Sequence, residues 1–138
     1  MAQPRRPDRI VASVGDKAAF RPFDRYGAPV PGMSWLPLSY DRERGEGTFL
    51  LRMEPGARSV PHEHSHGEQF LMLEGELVDN DGTVFRAGDF VAFAPGTRHF
   101  SMTPEGCLIA VFMRGPNRAL DAAQRDALEG TAAGRADR

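Results

Sequence analysis

A chain of 138 residues is long enough for one domain with a real core and too short for two. Its 17 basic and 19 acidic side chains nearly cancel to a formal charge of -2, which excludes the basic excess or stripe of a nucleic-acid or anionic-membrane binder. No apolar run approaches a membrane span, and Met1-Ala2-Gln3-Pro4-Arg5-Arg6-Pro7 has no apolar core behind its charges, so a cytoplasmic protein is expected. The lone cysteine, Cys107, allows neither an internal disulfide nor a Cys-based zinc site and reads as a small buried thiol.

Residues 1–9 are rich in Pro and Arg and are expected to be a disordered tail. The domain is expected over 10–116. Its first part, with Phe20, Pro22, Phe23, Met33, Trp35 and Pro37, is aromatic without a clear period; it either wraps the rest of the domain or reaches across a dimer. Short apolar runs at 49–53, 70–73, 85, 90–94 and 108–113 follow, punctuated by Gly and Pro, and short strands at this spacing predict a sandwich or barrel. Asp79-Asn80-Asp81-Gly82 between apolar, β-branched and aromatic neighbours is a hairpin signal. Gly88-Asp89 and Pro95-Gly96 mark turns on either side of another strand. Runs 70–73 and 90–94 are apolar on both faces, so one face looks inward and the other needs a cover. A short helix is expected over 117–130, capped by Asn117 and ended by Gly130, with a second disordered tail over 131–138.

All four histidines fall in one region: His62, His64 and His66 alternate in Pro61-His-Glu-His-Ser-His-Gly-Glu68, and His99 follows Pro95-Gly96-Thr97-Arg98. Residues two apart on a strand share a face, so His62 and His64 can offer imidazoles to one ion. Glu68 can reach back across a turn at 65–67, and His99 can close the set from a distant segment. Three imidazoles and a carboxylate suit divalent first-row metals such as Fe(II), Mn, Ni or Zn, with coordination positions left open. The bland alternative is a group of solvated loop histidines. Phe70 and Met72 share strand parity with Glu68 and offer apolar lining for a small organic ligand, or plain core. Arg98 and Arg52 are cations able to orient an anionic oxygen; neither is assigned to catalysis.

These residues resemble the cupins, whose first motif is Gly, five residues, His-x-His, three or four residues, Glu, six residues, Gly. Here that is Gly56, 57–61, His62-Glu63-His64, 65–67, Glu68, 69–74 and Gly75. The second motif resembles Gly88 to His99, with two departures: Pro95 and Gly96 are adjacent, and Thr103 stands where an asparagine is usual. Leu73-Glu-Gly-Glu-Leu77, Asp81-Gly82 and Glu105-Gly-Cys107 are similar to the ChrR-like branch, over roughly residues 33 to 115.

The resemblance implies an all-β fold, a double-stranded β-helix (the cupin or jelly-roll barrel), followed here by the short C-terminal helix. It implies a homodimer, with a metal inside the barrel on His62, His64, Glu68 and His99. His66 is not a ligand position in the pattern and is a group behind the ligands, a proton shuttle at the barrel mouth or simply exposed. Such small cupins include Fe(II) dioxygenases that cleave β-diketones or hydroxyketones, which makes that activity, on a small-molecule substrate, the leading expectation, with Fe(II) favoured. The alternative is a non-catalytic metal-dependent sensor of the ChrR type; the residues ahead of the barrel are too few for the anti-sigma domain that ChrR proteins carry.

Overall fold

In the computed structural model, residues 6–136 are described, with side chains through residue 130. After a 3-10 turn at Lys17–Ala19 come β1 (Arg21–Pro22), β2 (Met33–Asp41), β3 (Glu46–Met53), β4 (His62–His64), β5 (Glu68–Asp79), β6 (Val84–Arg86), β7 (Phe90–Phe93), β8 (Thr97–His99), β9 (Ser101–Met102), β10 (Cys107–Arg114) and β11 (Arg118–Ala119), and then α1 (Ala122–Ala136). The strands form two antiparallel sheets. The larger runs β1-β2-β3-β10-β5-β6, with β7 and β9 also paired to β5; the smaller is β11-β4-β8. The fold is all-β with one C-terminal helix, as the strand pattern predicts.

Side-chain alternation puts Phe49 and Met53 of β3, Phe70 and Met72 of β5 and Ile109, Val111 and Met113 of β10 on the inner face of the large sheet, all buried. Each such side chain contributes about 1.5–3 kcal/mol when withdrawn from water. Phe23 and Trp35 close this core: their rings meet edge to face at 5.3 Å, and Trp35 meets Phe49 at 5.2 Å. The aromatic amino-terminal part therefore wraps its own barrel. Its Phe20 also covers Leu50, Leu108 and Ala110 on the outer face, which answers in part the need for a cover there. Phe90, 58% exposed, is left outside that cover. Cys107 is buried, and burial pushes its thiol up to about 11.

The expected hairpin joins β5 to β6: the Asp79 N–H donates to the Thr83 carbonyl at 2.8 Å, and the Thr83 N–H to the Asp81 carboxylate at 2.9 Å. Within β5 the pairing with β10 slips by one residue, so that Leu73 bulges outward and the strand bends to serve β7 with its first half and β6 and β9 with its second. Gly75 sits just past this bend at φ +76°, where a Cβ would lie 2.0 Å from the Gly106 carbonyl oxygen; only glycine allows the two backbones to pass.

The helix starts later than expected. Arg118–Ala119 pair with β4, and Asp121 then caps α1: its carboxylate accepts from the Gln124 N–H at 2.9 Å, while the Gln124 side chain accepts from the Asp121 N–H at 3.1 Å. This reciprocal capping box displaces Asn117 from the cap. The helix also continues through Gly130 to Ala136, because each glycine costs a helix only about 1 kcal/mol. Of the expected disordered tails, residues 1–5 and 137–138 lie outside the described residues; Arg6 pairs with Asp8.

Candidate metal centre

The small sheet is built so that its inner face is imidazole and its outer face is charge. In β4, His62 and His64 are buried while Glu63 between them points outward. There the Glu63 carboxylate accepts from Arg98 of β8 at 3.0 Å and from Arg118 of β11 at 3.1 Å. Those two hydrogen bonds, Arg118 first, hold its carboxyl below the usual carboxylate range. The same register sets His62 directly opposite His99. A slip of one residue in either strand would turn that strand's ligand histidines to solvent, and the outward ion pairs oppose it. After β4 the chain reverses: the Gly67 N–H donates to the His64 carbonyl at 3.1 Å, and φ of +79° at Gly67 starts β5 with Glu68 facing back toward the histidines.

One ligand atom each from His62, His64, Glu68 and His99 lies within 4.8 Å of all the others. The Nε2 atoms of His62 and His64 are 3.1 Å apart, as are those of His62 and His99, and His64 Nε2 is 2.6 Å from a Glu68 oxygen. The protons on these rings can be assigned from what lies behind them. His62 Nδ1 is 2.6 Å from the Val60 carbonyl, which only accepts. His99 Nδ1 is 2.6 Å from the Asp79 carboxylate, which also accepts from the Ser101 hydroxyl at 3.0 Å. His64 Nδ1 is 2.9 Å from the Thr97 hydroxyl, whose own proton is spent on the Ala94 carbonyl at 2.8 Å. All three rings therefore carry their proton on Nδ1, and three bare Nε2 lone pairs and a carboxylate face one another.

Such a cluster is repulsive without a positive charge inside it. A proton on His64 Nε2 would satisfy the contact with Glu68 but leave the other two lone pairs opposed at 3.1 Å. One cation satisfies all four. Nitrogens bound at about 2.0–2.1 Å to one ion, at angles between octahedral and tetrahedral, lie about 2.8–3.4 Å apart, which brackets the observed 3.1 Å. The protonation states agree: burial, followed by repulsion from His99, pushes His62 down to about 3, leaving a neutral imidazole. Burial pushes the Glu68 carboxyl up, and what holds it at about 2 is a proton on His64 Nε2 and positive charge at the three imidazoles, which a bound cation would supply in their place once the rings are neutral. Neutral imidazole and ionised carboxylate are the ligand forms. The residues fit a divalent transition metal.

Phe93 supports the cluster from β7, stacked on His64 at 4.6 Å and tilted against His99 at 4.6 Å. A cavity of about 60 Å³ opens onto His62, Glu68 and His99, with apolar walls that include Phe49, Phe70 and Ile109. Phe70 thus lines the cavity, whereas Met72, on the same face one pair further along β5, is fully buried in the core and does not. His66 is exposed, with its ring against Gly115 and Nδ1 3.3 Å from the Pro116 carbonyl, apart from the cluster. Arg98 is engaged outside with Glu63, and Arg52 lies over the Phe20 ring on the outer face at 5.0 Å; neither faces the cavity. Thr103, at the departure from the second motif, is fully buried and donates to the Glu76 carbonyl at 2.7 Å. Sequence reading missed Asp79, Thr97 and Phe93, and it missed Tyr26 and Asn117 on the cavity wall. Only Asp79 left a usable signal, since a ligand histidine commonly donates its second N–H to a carboxylate.

The model for the ChrR cupin-like domain matches residues 16–116. No curated protein matches the chain. Among solved structures, an acetylacetone dioxygenase from Acinetobacter johnsonii is similar at 15% identity and a TM-score of 0.70, over 89% of this chain and 85% of that one. An RmlC-like cupin from Ralstonia eutropha JMP134 is similar at 21% identity and a TM-score of 0.64, over 83% and 75%. The polyketide cyclase RemF from Streptomyces resistomycificus is similar at 16% identity and a TM-score of 0.61, over 88% and 99%. At these identities the likeness is one of fold, and a dioxygenase and a cyclase share it. Among the described residues no helix is long and apolar enough to cross a membrane.

Proposed function

This chain belongs to the family of ChrR cupin-like domains, and from that premise we propose a metal-binding cupin that acts as a small non-haem dioxygenase. His62, His64, Glu68 and His99 hold a divalent transition metal, Fe(II) ahead of Zn, Mn or Ni, and the substrate is a small organic molecule such as a β-diketone or hydroxyketone. What carries the reading is the convergence of three bare Nε2 atoms and a carboxylate beside an apolar cavity. The fold likeness to an acetylacetone dioxygenase suggests the substrate class. When bound, the ion supplies Lewis acidity and neighbouring open coordination positions. The chain supplies the rest. Val60, Thr97 and Asp79 keep each imidazole proton on Nδ1, so that Nε2 stays available. Phe49, Phe70 and Ile109 exclude water and give an organic substrate an apolar wall.

The test is the metal content of untagged protein purified without oxygen, followed by oxygen uptake with β-diketones and hydroxyketones. Near-stoichiometric iron and substrate-dependent uptake are expected, and His99→Ala should lose the metal while keeping its strand signal in circular dichroism. Full occupancy in His99→Ala would refute the ligand set. The family match also favours a second reading, a metal-dependent sensor. Stoichiometric metal with no oxygen uptake across the substrate series would select it.

A further inference from the structure

The cavity beside the histidines has a second polar end that the chemistry above leaves unused. Arg25 and Tyr26 reach it from the segment between β1 and β2, and Asn117 from the segment between β10 and β11. The Tyr26 ring stacks on His62, with centroids 5.8 Å apart and planes 27° apart, so this end adjoins the metal cluster. Arg25 is pinned: its guanidinium lies over the Tyr26 and Tyr40 rings, and its Nε donates to the Tyr40 hydroxyl. Burial pushes the Tyr26 hydroxyl up, and Asn117 and Arg25 beside it act against that. The Asn117 Oδ1 remains. It is buried and has no hydrogen-bond partner; among the described residues the other such side-chain atom is Arg52 Nε, on the outer face of the large sheet.

A buried carbonyl oxygen without a donor is costly, and in native proteins it commonly marks a place where something else binds. Here the oxygen belongs to a residue lining the cavity that holds the metal ligands. Asn117 is not held there by a capping role, which Asp121 and Gln124 perform. The unmet need is for a hydrogen-bond donor on the ligand. A β-diketone carries only acceptors, or an enol hydrogen already tied to its own second oxygen. A hydroxyketone carries a free donor. We propose that Asn117 is the specificity residue of this site: its Oδ1 accepts a hydrogen bond from the hydroxyl of a small, otherwise apolar hydroxyketone whose carbonyl end lies toward His62 and His99. The proposal rests on the metal-site reading above and narrows its substrate class to the hydroxyl-bearing member.

The experiment is calorimetric binding to the full chain, loaded with Zn(II) and kept free of oxygen so that nothing is consumed. The probes are 4-hydroxybutan-2-one and 3-hydroxybutan-2-one, each against butan-2-one, which lacks only the hydroxyl. The better hydroxyketone should bind at least about tenfold more tightly than the plain ketone. Asn117→Leu should bring the ratio close to one, and Asn117→Asp, which keeps an acceptor, should preserve it, with metal content and melting temperature little changed. Should Asn117→Leu fail to fold, Asn117→Ala gives the same reading. Equal binding by the unmodified protein, no binding of any of the ketones, or a preference that survives loss of the Asn117 acceptor overturns the proposal. Failure of the metal reading registers separately, as protein that takes up no zinc, and the hydroxyl ratio is then read on that protein, because a hydrogen bond to Asn117 needs no metal.

Discussion

The two sheets are held together by different physics. The large sheet is built around four long strands, β2, β3, β5 and β10, with the eight-residue β10 buried between β3 and β5, and its register is set by apolar parity against a continuous core. The small sheet has strands of two or three residues, and its inner face is histidine rather than hydrocarbon. Its register rests on Glu63 with Arg98 and Arg118 outside, and on Val60, Thr97 and Asp79 behind the histidines inside. Packing makes one sheet stable; hydrogen bonds and charge make the other specific. Glu68 opens β5 of the large sheet, so a metal held by the four residues would tie the two together.

Three variants bear on that contrast. Trp35→Ala in the large sheet should have the largest effect on stability, because the ring is 2% exposed and packs edge to face on Phe23, Tyr40 and Phe49. A loss of about 3–5 kcal/mol in urea unfolding is expected, and a loss below about 1 kcal/mol would contradict the role given to the core. Asp79→Ala should act on binding instead of folding. Without its acceptor the His99 Nδ1–H is left unpaired, and metal affinity should fall about 10–100-fold in a chelator competition. Unchanged affinity would mean that the proton on His99 is placed by something else. Glu63→Gln should have the smallest effect. Arg118 and Arg98 hold the Glu63 carboxyl low, so its contribution is present at neutral pH and is lost as pH falls through the carboxylate range. The unmodified protein should therefore lose slightly more melting temperature than the variant between neutral and acid pH. Parallel melting curves would show that the outer ion pairs do not hold the small sheet.

Much of this architecture was legible because it is local. The alternation of His62 and His64, the turn before Glu68, the Asn/Asp/Gly hairpin and the apolar strands all follow from backbone period and turn chemistry over a few residues. The helix start was misread for an equally local reason: Asn117 suits a cap, but Asp121-Ala-Ala-Gln124 is the better box, and pairing of Arg118–Ala119 with β4 keeps the preceding segment extended. Met72 shares parity with Phe70, and parity gives the face of a strand but not the depth along it at which core ends and cavity begins.

By itself the sequence determined the strand-rich class, several of its strands and the four residues whose types and spacing suit a metal, because those depend on residue chemistry and short-range geometry. Only the tertiary structure decided which groups stand behind the histidines and which face the cavity. Asp79 read as a turn residue until the fold laid it against His99, 20 positions away, and Asn117 read as a helix cap until the fold laid it along the cavity wall with Tyr26. Contacts between distant segments depend on how two sheets close over one another, and no local period carries that information.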